Sequence, residues 1–117
     1  MEGTAGGRID PIAGVDRDGG VIVVHLAGEL DLYNAHLVRE ALLGCCDEKP
    51  ERLAVDLAEV EFVDSTVLGV FVEARTHMAD RQAFRLAAPR AETRRALEVS
   101  GLDKHFVVCA TVEDALA

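Results

Sequence analysis

Asp64-Ser65-Thr66 is the triplet in this chain whose residue types and placement could do chemistry. It separates the strand-like exit Glu61-Phe62-Val63 from the apolar run Val67-Leu68-Gly69-Val70-Phe71-Val72. Asp and Ser are favoured helix caps, because their side-chain oxygens accept the amide protons that the first turn leaves unpaired. One or both hydroxyls are therefore expected at a helix N-terminus, where the unpaired amides and the helix dipole favour negative charge. A phosphate added there would bring roughly −1.5 to −2 charges at pH 7. It would land beside Asp64, of the same sign, so any partner covering the spot would feel the change. The plainer reading is a helix cap and nothing more, and periodicity alone does not choose between the two.

No other constellation competes. The chain has no Gly-rich phosphate loop of the P-loop or dinucleotide-binding kind. Its four histidines, His25, His36, His77 and His105, are scattered. His25 reads as a partly buried strand residue, since no second His or Cys lies at ligand spacing. Cys45, Cys46 and Cys109 form neither a disulfide framework nor a zinc spacing, and read as small buried hydrophobes in a reducing cytoplasm. No nucleophile has an evident base near it. The chain is therefore expected to be no enzyme and to use no cofactor or metal.

The totals fit one domain. The chain has 117 residues, half of them hydrophobic, with no Trp and one Tyr, so an aliphatic core is expected. The formal net charge of −9 argues against nucleic acid or an anionic membrane surface as a partner. No apolar run approaches membrane-spanning length, and no signal-peptide pattern opens the chain. A cytoplasmic protein that meets a basic or mixed protein surface is expected.

The elements that would position the triplet follow from periodicity. Residues 1–7 read as a disordered tail and 8–117 as the domain. A weak edge strand at 8–15 and a turn at 16–20 lead to the strongest strand, 21–28, apolar on both faces. Asp31 caps a helix over 32–43, with Leu37, Val38, Ala41 and Leu42 inward and Gly44 as its stop. A strand at 52–57 precedes the triplet. The helix after Thr66 turns Val67, Val70, Phe71, Ala74 and Met78 to one side. Leu68 and Val72 form a second stripe that either deepens burial or, at Leu68, stays exposed for a partner. A strand at 83–87, a helix at 90–99 ended by Gly101, a strand at 106–109 and a short helix capped by Thr111 complete the chain. This alternation predicts an α/β fold: a mixed, mostly parallel sheet of four to five strands with about four helices.

Three stretches then point to a family. Phe62-Val63-Asp64-Ser65-Thr66-Val67-Leu68-Gly69-Val70 resembles the signature of the STAS domain family, the bacterial anti-sigma factor antagonists, whose loop reads Asp-Ser-Ser/Thr-Gly-Leu-Gly. Gly28-Glu29-Leu30-Asp31 is similar to the Gly-Glu-Leu/Ile-Asp after that family's second strand, and Ala96 to Phe106 look like its last helix and turn. The resemblance implies a single-domain STAS-like fold over 8–117. It implies a partner-binding surface made of Asp31, Asp64, Ser65, Thr66, Val67, Leu68 and Gly69. It implies phosphorylation at Thr66, with Ser65 as the second choice, by an anti-sigma factor that is also a serine/threonine kinase. In the cycle the resemblance implies, the unmodified antagonist binds that factor and frees the sigma factor. The same resemblance implies that phosphorylation breaks the complex and that a PP2C-type phosphatase restores it. Val67 stands where many members have Gly. The alternative implied by other relatives is a STAS scaffold subunit of a transporter or signalling complex, with no phosphoswitch.

Overall fold

The computed structural model describes residues 10–117. The tail expected at 1–7 and the start of the first expected strand lie outside the described residues. Five strands and four α-helices alternate: β1 Ile12–Asp18, β2 Val21–Leu30, α1 Ala35–Asp47, β3 Arg52–Val63, α2 Ser65–Thr76, β4 Phe84–Ala87, α3 Ala91–Ser100, β5 Val107–Cys109 and α4 Val112–Leu116. The strands lie in one sheet in chain order, β1 antiparallel to β2 and every later pair parallel. This is the mixed α/β sheet that the alternation implies.

β2 and β3 make the spine. Their inward side chains alternate, and Ile22, Val24, Leu26 and Leu30 share a face with Leu53, Val55, Leu57, Val60 and Val63. Phe84 and Leu86 of β4, Val38 and Leu42 of α1, Phe71 and Ala74 of α2, and Leu97 of α3 close the larger core against that face. The reverse face carries a smaller apolar cluster, Val23, Ala54 and Ala87, covered by Ala115 of α4. β2 is thus apolar on both sides because both sides are covered.

The boundaries that differ have local causes. Residues 16–18, expected as turn, belong to β1, with Asp16 opposite Val23 and Asp18 opposite Val21. The reversal needs only Gly19-Gly20, whose φ values of 58° and 89° are the positive angles of a two-residue hairpin. β3 runs to Val63 rather than Leu57, and two irregularities in its register with β2 absorb the break in alternation. α1 begins at Ala35, not Leu32, because Asp31 to Asn34 form a separate turn.

Nor does α1 stop at Gly44, which is exposed inside the helix. Lys49 ends it instead, in the left-handed conformation at φ 55°, its amide donating to the Cys46 carbonyl at 3.0 Å. The later start and end also change the inner face. Ala35, Val38, Leu42, Cys45 and Cys46 are buried, whereas Leu37 is exposed and Ala41 only partly covered. The Cys46 thiol donates to the Ala74 carbonyl of α2 at 3.4 Å, and burial pushes its pKa up to about 11. Expected ends hold at α3, stopped by left-handed Gly101, and at α4, where the Thr111 hydroxyl accepts the Asp114 amide at 3.0 Å.

Thr93 on α3 is completely buried, and its hydroxyl finds no hydrogen-bond partner among the described residues. An unsatisfied buried hydroxyl costs on the order of 1–3 kcal/mol. Thr93→Val keeps the shape and removes the polar atom. It should raise the urea midpoint with an unchanged m-value, by about 1 kcal/mol of stability.

Candidate functional site

β2 and β3 end level. Leu30 pairs with Val63, and the Asp64 amide then donates to the Leu30 carbonyl at 3.1 Å. From that shared end, β2 enters the Asp31 turn and β3 enters α2. In a parallel sheet the carboxyl ends of adjacent strands are where sites collect, because two loops start side by side.

The Asp31 turn is built from side chains. Asn34, buried, accepts the Asp31 amide at 2.9 Å and donates from Nδ2 to the Glu29 carbonyl at 2.9 Å. Asp31 accepts the Tyr33 amide at 3.0 Å through Oδ1, and its carbonyl receives the Ala35 amide at 2.9 Å. Asp31 therefore closes the turn before α1 rather than capping a helix at residue 32. Asn34 is a site residue that the sequence reading missed. Its signal was an Asx residue between two apolar stretches, a common turn former.

Asp64 is the cap of α2, as its type predicts. Oδ1 accepts the Val67 amide at 3.1 Å, and Oδ2 accepts the Leu32 amide at 2.9 Å. One carboxylate thus ties the start of α2 to the Asp31 turn. Ser65 and Thr66 are the first two residues of α2, and both are exposed. Gly69 is exposed one turn on, with open space where a side chain would stand. Val67 and Leu68 are buried in the larger core. Of the two readings of the second stripe, burial holds at Leu68, whereas Val72 is exposed. As folded, Val67 and Leu68 shape the site from beneath and offer a partner no surface. Asp31, Asp64, Ser65, Thr66 and Gly69 are placed to offer one.

Three large exposed apolar side chains lie at the same strand ends as the hydroxyls, and sequence reasoning did not single them out. Leu32 and Tyr33 on the Asp31 turn are 64% and 76% exposed, and Phe62, two residues before Asp64, is 47% exposed. Leu32 is bonded through its amide to Asp64, and Phe62 is paired with Glu29 on β2, so all three lie at the same strand ends. Such residues on a folded surface mark contact areas when they cluster. Carboxylates interleave them: Glu29 and Glu61 are exposed, and Asp31 and Asp64 half-buried. On the flank, Arg39 of α1 bridges to Glu73 of α2 by two bonds of 2.8 and 2.7 Å. No group of His, Cys, Asp and Glu among the described residues is arranged to hold a metal, and no described helix is long and apolar enough to cross a membrane.

The sequence model of the STAS domain matches residues 13–115. The chain belongs to the STAS domain family. Its STAS relatives include the anti-sigma-F factor antagonist RsfB of Mycobacterium tuberculosis, 34% identical over 97 residues that cover 83% of this chain and 80% of that protein. The anti-sigma-B factor antagonist of Listeria monocytogenes is 43% identical over 68 residues, 58% of this chain and 60% of that one. The crystal structure of an anti-sigma factor antagonist from Mycobacterium paratuberculosis shares the STAS fold at a TM-score of 0.81 with 32% identity, over 87% of both chains.

The double bond of Asp64 is testable without any partner. Asp64→Ala removes a helix cap and the acceptor for Leu32 together, and should cost about 1–3 kcal/mol. Amide exchange should rise first at Leu32 and Val67. Equal exchange at both amides in variant and parent would show that Asp64 does not hold them.

Proposed function

We propose that this chain is an anti-sigma factor antagonist, controlled by phosphorylation at Thr66. The observation that carries the reading is the juxtaposition at the ends of β2 and β3: exposed hydroxyls in the first turn of α2, with exposed Leu32, Tyr33 and Phe62 at the same strand ends. Relatives named as antagonists of anti-sigma factors, across most of the chain's length, support the same reading.

An antagonist of this kind acts by binding. Leu32, Tyr33 and Phe62 supply apolar contact area, and Tyr is a favoured interface anchor because it buries much surface at little rotamer cost. Asp31, Asp64, Glu29 and Glu61 give that area a negative border, which suits a partner with basic residues around an apolar centre. Occupying the anti-sigma factor there frees its sigma factor.

In the switch, the partner is also a serine/threonine kinase that holds ATP. Thr66 Oγ1 attacks the γ-phosphorus. The new O–P bond forms as the bond to the β-bridging oxygen breaks and ADP leaves, and the hydroxyl proton passes to a base on the kinase. The product places roughly two negative charges next to Asp64, in a partner surface matched to the unmodified, already acidic site. The like-charge clash and the cost of burying the phosphate break the complex. Hydrolysis by a PP2C-type phosphatase resets it. Ser65, one position earlier in the same turn, is the alternative acceptor. This cycle belongs in the cytoplasm, where sigma factors act.

Intact mass after incubation with an anti-sigma kinase and Mg-ATP tests the switch. The parent and Ser65→Ala should each gain one phosphate, and Thr66→Ala none. An unmodified parent, with the kinase active on another substrate, would leave a STAS scaffold without a phosphoswitch. The docking surface has its own test. Tyr33→Ala should weaken binding to the unloaded anti-sigma factor by about 1–2 kcal/mol, some five- to thirtyfold in Kd, with thermal stability nearly unchanged.

A further inference from the structure

On the face of the sheet away from the larger core, His25 stands between two carboxylates on neighbouring strands. Its Nδ1 lies 2.7 Å from Oδ2 of Asp56 on β3, and its Nε2 lies 2.8 Å from Oδ2 of Asp16 on β1. A neutral imidazole has one N–H and one lone pair, so it can donate to only one of them. Satisfying both at these distances takes the doubly protonated ring.

The two partners are unequally held. The Asp56 side chain is 16% exposed, and its other oxygen accepts the Ala58 amide at 3.1 Å. The Asp16 side chain is 77% exposed and sits on the edge strand. Apart from this bond, β1 is attached by its ladder with β2, which is irregular between Ile12 and Gly14, and by the partly buried Ile12 and Val15. Arg17 adds an exposed ion pair with Glu48, and its register partner Ile22 places it on the opposite face. Around the ring, the cross-strand row reads Gly14, His25, Asp56, Ala87 and Cys109, and α4 packs nearby through Ala115. Asp56 and Asp16 are the charged groups that act on the ring.

We propose that Asp16, His25 and Asp56 form a proton-dependent clamp on the edge of the sheet, which holds β1 while the ring is doubly protonated and releases it when one proton leaves. The lost proton turns one N–H into a lone pair that faces a carboxylate. Asp56 is anchored, so Asp16 gives way and β1 goes with it. The edge of β2, apolar on both faces, is then uncovered.

The sign follows from the contacts. The hydrogen bond to Asp56 raises the pKa of His25 most, burial opposes it, and the bond to Asp16 adds to the rise, for a net upward shift. A raised pKa in the closed state means that the clamp is fully present below the ordinary value of 6.5 and is lost as pH rises through the closed-state value. Between those two points, the opening equilibrium of β1 should rise about tenfold per pH unit.

Amide-exchange protection factors across a pH series, corrected for intrinsic exchange, together with NMR titration of the His25 ring, test this on the full chain. The ring should titrate above 6.5, and β1 amides should lose protection through that window while β3 amides keep theirs. Asp16→Asn, at an exposed position that leaves the core intact, should leave β1 less protected at low pH and flatten its profile. A ring titrating at or below its ordinary value, a flat β1 profile in the parent, parallel loss in β1 and β3, or an unchanged slope in Asp16→Asn would each overturn the clamp.

Discussion

The parallel pairing of β2 with β3 is the constraint on which the other elements depend. It runs from Val21 opposite Arg52 to Leu30 opposite Val63, the most extended ladder in the sheet. Two parallel strands cannot be joined by a tight turn, so a crossover must lie on one face, and α1 is that crossover. Apolar side chains on both faces then require cover on both, which α1, α2 and α3 give to one side and α4 to the other. Because the two strands end level, the loops leaving them begin side by side. The position of the candidate site is a result of that register before any functional residue is considered.

Asp64 then turns proximity into a fixed arrangement. A carboxylate that accepts from one backbone amide caps a helix. One that accepts from two, thirty-five residues apart in the chain as Leu32 and Val67 are, sets the distance between two loops. Val67 fits this role. Its buried side chain anchors the first turn of α2 from the core side while Asp64 anchors it from the surface side. A β-branched residue there makes the turn stiffer than Gly would, so Ser65 and Thr66 stand on a rigid platform.

The elements that were legible in the sequence share one property: a local signal agreed with the packing. β2 is apolar on both faces and is covered on both. Asp64, Gly101 and Thr111 are caps by residue type and caps in the structure. Where the reading slipped, a tertiary effect overrode the local one. Gly44 looks like a helix stop, but an exposed Gly is tolerated there, because Cys45 and Cys46 beyond it are drawn into the core. Leu37 looks inward until the helix start shifts from 32 to 35. Asp16 and Asp18 look like turn residues, and they are edge-strand residues, Asp16 bonded to the His25 ring. The exposure of Leu32, Tyr33 and Phe62 could not be read from periodicity. It depends on where the Asp31 turn points once β2 and β3 end together. The pairing of His25 with Asp16 and Asp56 likewise needs the register of three strands, and no spacing along the chain announces it.

The buried thiols of α1 have a consequence for chemical labelling. Cys46 is packed against α2, its proton held by burial and by the Ala74 carbonyl, and the neighbouring Cys45 is also buried with its pKa raised. The thiolate is the form that alkylating reagents attack. In the closed molecule Cys46 is held almost wholly as the thiol, so its modification must wait for α1 to part from α2 there. The rate at which Cys46 is alkylated is therefore a clock for that separation. That reporter lies at the C-terminal ends of α1 and α2, the far end of α2 from the turn that carries the hydroxyls, and no label need be engineered to read it.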